Sequence, residues 1–213
     1  MNESPNVSIL QKADMSEVNT KYQTLLTKLK DHSDWPKIHN TVQGLLSNLK
    51  DISTVDAQTF FSQSFDKPLY ANTRITTAKT WIIKLRNKIG DDIELWSDSY
   101  KVDIVHLGGN SSNDNFSING TEALRIIDTR IAIYRLYVIQ NLARYAKAKA
   151  EANPFQPFQS LKLDAATNGT ASLKQVFECW NQIVNGVGRY MGHITAMHLL
   201  SDFGGWVKTD LHL

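Results

Sequence analysis

With 213 residues, 42% of them hydrophobic, the chain can bury one substantial core or two small ones. Its 23 basic and 21 acidic side chains leave a net charge of +2, so the whole-molecule field argues only weakly for a polyanionic partner, although positive charge can still gather on one face. A single cysteine excludes an intrachain disulfide and a cysteine-ligated iron–sulfur cluster within the chain, and no apolar run reaches the roughly eighteen residues of a membrane-spanning helix.

The start, Met1-Asn2-Glu3-Ser4-Pro5, lacks a charged-then-apolar signal pattern, so an intracellular, cytoplasmic protein without membrane contact is expected. From Met15 to Leu29 the apolar positions Val18, Tyr22, Leu25, Leu26 and Leu29 have the spacing of an amphipathic helix. Pro36 suits the first turn of a second, which carries Ile38, Val42, Leu45, Leu46 and Leu49. A third is predicted over Val55 to Phe65, ending before Pro68, and a fourth over Thr73 to Ile89, stopped by Gly90. A short segment at Ile93 to Trp96 leads to Val102-Asp103-Ile104-Val105-His106-Leu107, which reads equally as strand or helix. Gly108 to Asn119 reads as a polar loop, the best candidate for a mobile segment.

Thr121 to Ala152 contains neither Gly nor Pro and is predicted as the longest helix, with Leu124, Ile127, Ile131, Tyr134, Val138 and Leu142 along one seam. Its bases outnumber its acids, and Arg144, Lys147 and Lys149 are candidate phosphate contacts; a solvated helix face explains each of them as well. Asn153-Pro154 ends the helix, and Pro157 to Ala171 reads as a linker. No internal repeat is visible.

The C-terminal part carries the chemistry. Ser172 to Ile183 reads as a helix, with Leu173, Val176, Phe177, Trp180 and Ile183 on one face, and Gly186 and Gly188 are expected to stop it. A second helix is predicted from Arg189 until Gly204-Gly205. The glycines would then lie at a helix N-terminus, where free N–H groups and the helix dipole favour a phosphate. Tight helical hairpins also look this way for packing reasons alone. Lys208-Thr209-Asp210-Leu211-His212 follows, and supplies a carboxylate about twenty residues beyond the glycines. His193, His198 and His212 crowd the same region, but a five-residue separation of the first two does not suit two metal ligands on one helix face, so neither metal nor cofactor is expected.

Val184-Asn185-Gly186-Val187-Gly188-Arg189, followed by Lys208-Thr209-Asp210-Leu211-His212, resembles the hairpin and the aspartate segment of the helix-hairpin-helix DNA glycosylase superfamily. The resemblance covers residues 172 to 213. It implies that Gly186, Gly188, Arg189 and Lys208 hold DNA phosphate, that Asp210 is catalytic, and that Tyr190, Trp180 and His212 line a base pocket. Family members that also cut the DNA backbone carry a lysine where this chain has Tyr190, so the resemblance implies a monofunctional enzyme with no Schiff-base amine. Tyr190-Met191-Gly192-His193 is closer to a branch associated with bacteriophage hypermodified pyrimidines than to housekeeping repair enzymes. Two departures stand out: Met191-Gly192 replaces the usual Thr-Ala, and the family continues for at least one more helix after the aspartate. The second departure leaves three expectations open: a partner chain that completes the site, a further C-terminal segment in a longer protein, or a reduced homologue that completes its fold differently. Asp210 also has a plainer role open to it, as a helix N-cap.

The resulting expectation is an all-α protein, with an N-terminal helical region over 1–110 and a helical region ending in the hairpin over 111–213, or the two as one domain. Its expected activity is hydrolysis of the bond between a damaged or modified base and deoxyribose. The alternatives are a noncatalytic hairpin module that clamps DNA, and a helical interaction protein, for instance in phage defence, whose hairpin is fortuitous.

Overall fold

The computed structural model describes residues 15–47, 49–109, 114–119, 131–163 and 173–204. The chain divides into two units, Met1–Asn48 and Leu49–Leu213. In the first, the predicted helices form as α1 (Met15–Lys30) and α2 (Trp35–Ser47). Between them the chain turns through backbone bonds from His32 N–H to Leu29 O and from Trp35 N–H to His32 O. Trp35 then lies against His39 one turn on, with ring centroids 5.5 Å apart.

The second unit opens with the short strand β1 (Lys50–Asp51), a 3-10 turn over Ile52–Thr54, and helix α3 (Ala57–Ser64). Asp56 caps α3 by accepting from Thr59 N–H. α3 ends before Pro68, as expected, and Pro68 sits in the first turn of the short helix α4 (Lys67–Tyr70), where a missing N–H costs nothing. Helix α5 (Ile75–Lys88) follows, and Gly90, at φ +85°, redirects the chain towards α6 (Ile93–Ser97).

The ambiguous run after α6 is a strand. β2 (Asp103–His106) pairs antiparallel with β3 (Phe116–Asn119), so part of the predicted polar loop is also β structure. The residue 110/111 boundary expected from sequence lies between these paired strands, inside the second unit. Apart from these ribbons the described residues are predominantly helical.

The long helix is shorter than its seam suggests. It begins at Ile133 as α7 (Ile133–Ala152), because Ala132 is extended and Arg135 N–H closes the first turn on Ala132 O. Residues 121–130 lie outside the described residues. Leu136, Val138, Ile139, Leu142, Ala143 and Ala146 are buried on more than one side, so α7 is a central helix rather than a surface one. It packs against α3, α4, α6, α8 and β2. Buried Arg135 donates to Ala71 O and lies 5.2 Å from the Trp81 ring.

The segment read as a linker contributes to the core. A 3-10 turn over Gln159–Leu161 buries Phe158 and Leu161 completely, and Phe158 stacks on Phe60 at 4.0 Å between centroids. Helices α8 (Leu173–Val187) and α9 (His193–Leu200) complete the unit, followed by β4 (Phe203–Gly204), which pairs parallel with β1 and stacks Phe203 on Phe60. Among the described residues no helix is long and apolar enough to cross a membrane.

Candidate functional site

The ribbon β2–β3 has a two-residue side-chain period, so Ile104 and His106 share a face with their cross-strand partners Ile118 and Phe116. Ile104 is buried, and His106 and Phe116 lie 5.1 Å apart, ring to ring. This face meets the first turn and a half of α7: Tyr137 is 6.0 Å from His106 and 5.7 Å from Phe116. Buried Gln140, one turn further along α7, pins the strand by accepting from Ile104 N–H and donating to Val102 O.

Tyr190 reaches the same cluster from the connection between α8 and α9. Its ring centroid is 5.5 Å from Phe116, 5.6 Å from Tyr134, 6.2 Å from His106 and 6.4 Å from Tyr137. All five rings are half-buried rather than part of the sealed core, so they form one aromatic face assembled from three distant stretches of chain.

A polar edge borders it. Asp114 Oδ1 lies 3.2 Å from His106 Nε2 and 3.2 Å from Arg189 Nη2. Arg189 also donates to Gly109 O, and its guanidinium carbon is 5.4 Å from the centre of the Tyr190 ring. The Asp114 side chain is 4% exposed. Its Oδ2 and the Tyr190 hydroxyl oxygen are both buried without a hydrogen-bond partner.

The glycine hairpin differs from its predicted form. Gly186 lies inside the last turn of α8, and Gly188, at φ +86°, follows that helix as its left-handed C-terminal residue. Gly188 N–H donates to Val184 O and Gly188 O accepts from Met191 N–H. Tyr190, at φ +70°, occupies the third position of that turn, where a positive φ normally selects glycine. Helix α9 starts at His193, with Gly192 as its N-cap, and not at Arg189. The Gly186–Gly188 pair therefore sits at the carbonyl end of one helix, the negative pole, instead of the amide end of the next. Gly188's own N–H is already bonded within the protein.

Trp180 packs edge-on against Phe177 at 5.1 Å, and its Nε1 is buried without a partner. The ring contacts of Tyr190 do not include it. The candidate phosphate bases of α7 are engaged in folding contacts. Arg144 donates to Ser97 O, Lys147 pairs with Glu94 at 2.5 Å, and Lys149 lies over the Tyr145 ring. His193 is bonded to Asn181 Oδ1, and among the described residues no group of three His, Cys, Asp or Glu side chains is arranged to hold a metal. Asp210, His212 and Lys208, with Trp206, lie outside the described residues.

Asp114, His106, Phe116 and Tyr137 were not marked by the sequence as site residues. The alternating apolar pattern of 102–107 was the available signal for the ribbon, but nothing near Tyr190 in the chain points to a hairpin some eighty residues earlier. No protein-family model, curated protein or solved structure matches the chain.

Proposed function

We propose that this protein receives a base of DNA on the aromatic face around Tyr190 and hydrolyses its N-glycosidic bond as a monofunctional glycosylase, leaving an abasic site. The observation that carries the reading is the half-buried cluster of Tyr190 with His106, Phe116, Tyr134 and Tyr137. A base must leave the stack before its glycosidic bond can react, at a cost of a few kcal/mol, and aromatic side chains commonly receive it. Tyr190 offers no amine, so the reaction ends at hydrolysis without Schiff-base chemistry. In this reading the Asp210 carboxylate stabilises the positive charge that builds on deoxyribose or activates the attacking water. In this reading Gly188 N–H does not hold phosphate, because it is bonded to Val184 O.

The test is abasic-site formation on unmodified, alkylated, deaminated and phage-modified DNA, read by alkali cleavage. Wild-type protein is expected to act on one substrate class, and Asp210→Asn and Tyr190→Ala are expected to abolish the signal. No abasic sites on any substrate would sink the proposal.

The internally bonded hairpin favours a second reading, a helical interaction protein without DNA affinity. Salt-sensitive binding to a DNA duplex separates the two, since contacts to phosphate weaken steeply as salt rises.

A further inference from the structure

We infer that Asp114 is the residue that selects the base, by accepting an N–H of the base at its free Oδ2 while the base lies against the Tyr190 aromatic face. The inference rests on the base-receiving reading above and adds to it the chemistry of recognition. Asp114 has a side chain 4% exposed, yet one carboxylate oxygen has no hydrogen-bond partner. Leaving a buried carboxylate oxygen unsatisfied is costly, and such groups in folded proteins ordinarily have a bonded partner.

The identity of the missing partner follows from what is already present. Arg189 Nη2 and His106 Nε2 both lie 3.2 Å from Oδ1, so a guanidinium already faces the negative charge. Oδ2 therefore lacks a hydrogen-bond donor rather than a counter-ion, which points to a neutral N–H group. The rings of Phe116, Tyr137 and Tyr190 pack on one another and stay partly exposed, and an aromatic neighbourhood of this kind points to a planar ligand. The Tyr190 hydroxyl, also buried and unpartnered, is a further group able to donate or accept in the same cluster. A neutral planar ring carrying N–H donors on its edge is a nucleobase, and an exocyclic amine or ring imide N–H fits the carboxylate oxygen.

The experiment measures calorimetric binding of nucleosides to the full chain in matched pairs. The pairs are thymidine with 3-methylthymidine, deoxycytidine with its N4,N4-dimethyl derivative, and deoxyadenosine with its N6,N6-dimethyl derivative. For the recognised base, methylation of the donor is expected to weaken binding at least about tenfold, because the carboxylate oxygen is again unpaired. Asp114→Asn, which replaces an acceptor by an amide, is expected to bring the unmethylated nucleoside down to the affinity of the methylated one. Because the methylated ligands test the contact in the unaltered protein, a variant that fails to fold leaves the test intact. Equal binding of each pair, or no binding of any nucleoside, overturns the inference.

Abasic-site formation by the wild-type protein that persists in folded Asp114→Asn would refute the role of Asp114 and leave the glycosylase reading standing. Donor-dependent nucleoside binding with no abasic sites on any DNA would sustain the recognition site and remove the glycosylase reading.

Discussion

The ring of Tyr145 occupies the space where a side chain at Gly186 would begin. A Cβ built on Gly186 would fall 2.4 Å from Tyr145 Cε2 and 2.5 Å from Cδ2. Tyr145 is buried in α7, with Phe60 and Phe158 on its flanks, so the ring has little room to withdraw. Glycine at this position lets α8 approach the central helix closely, and packing alone accounts for it.

Replacing Gly186 therefore sets two effects against each other. Alanine favours an exposed helix interior by about 1 kcal/mol over glycine, while overpacking a fixed core neighbour costs about 1–3 kcal/mol. At a 2.4 Å approach the second is expected to win, so Gly186→Ala should lower stability in urea unfolding. Adding Tyr145→Leu, which removes the ring, should make the same glycine change less harmful or favourable. A stabilising Gly186→Ala in the unaltered background would show that the ring yields.

Tyr190 holds a left-handed backbone that costs a residue with a Cβ roughly 1 kcal/mol or more relative to glycine. Tyr190→Ala should lose the ring contacts and keep that strain, whereas Tyr190→Gly loses the contacts and relieves it. Thermal unfolding should then rank wild type first, Tyr190→Gly second and Tyr190→Ala last among the three. Equal stability of the two variants would mean that the turn relaxes out of positive φ once the ring is gone. For nucleoside or DNA binding both should be equally defective, since each removes the stacking surface.

Gln140 joins α7 to β2 from a fully buried position, through Ile104 N–H and Val102 O. Gln140→Leu keeps the volume close and strands both backbone groups, at about 1–3 kcal/mol each. Unfolding free energy is expected to fall by about 2–6 kcal/mol. Hydrogen exchange at Ile104 should quicken more than at the α7 amides, because the strand loses its anchor while the helix keeps its own ladder. Unchanged exchange at Ile104 would argue that the ribbon is held by its rings instead.

Helices with a one-sided seam were readable from residue spacing: α1, α2, α3 and α5 lie within a few residues of their predicted spans. The ends were harder, because they depend on tertiary choices. Nothing in the composition of 121–152 marks Ala132 as the extended residue before α7. Gly186 and Gly188 drew attention as glycines, yet their roles are packing against Tyr145 and capping α8, neither visible without the partner helix. Tyr190 was legible as a candidate because of its place beside the hairpin. Asp114 was not, because its partners His106 and Arg189 are separated from it by chain that must fold first.

Two carboxylates of the second unit should respond to acid in opposite directions. Lys162 lies 2.8 Å from Asp51 Oδ2, and Ser53 donates its N–H and hydroxyl to Oδ1; together they lower the Asp51 pKa to about 2. A depressed folded value means that the ionised contacts stabilise the fold above the unfolded carboxylate value of about 4. That contribution is lost as pH falls from about 4 through about 2. Asp51 and Lys162 are 44% and 41% exposed, so screening leaves roughly 1 kcal/mol or less. Asp66 runs the other way: burial raises its pKa, despite the nearby Lys67. Its contribution is fully present below the unfolded value and declines as pH rises through the folded one. Asp51→Asn should accordingly flatten the acid limb of the stability profile between about pH 4 and 2. Asp66→Asn should be neutral or stabilising at pH 7, where it removes a partly buried charge whose partner Lys67 is shared with Asp202. Urea unfolding at a series of pH values measures both, and a marked loss of stability at pH 7 in Asp66→Asn would show that the Lys67 pair outweighs the burial of its charge.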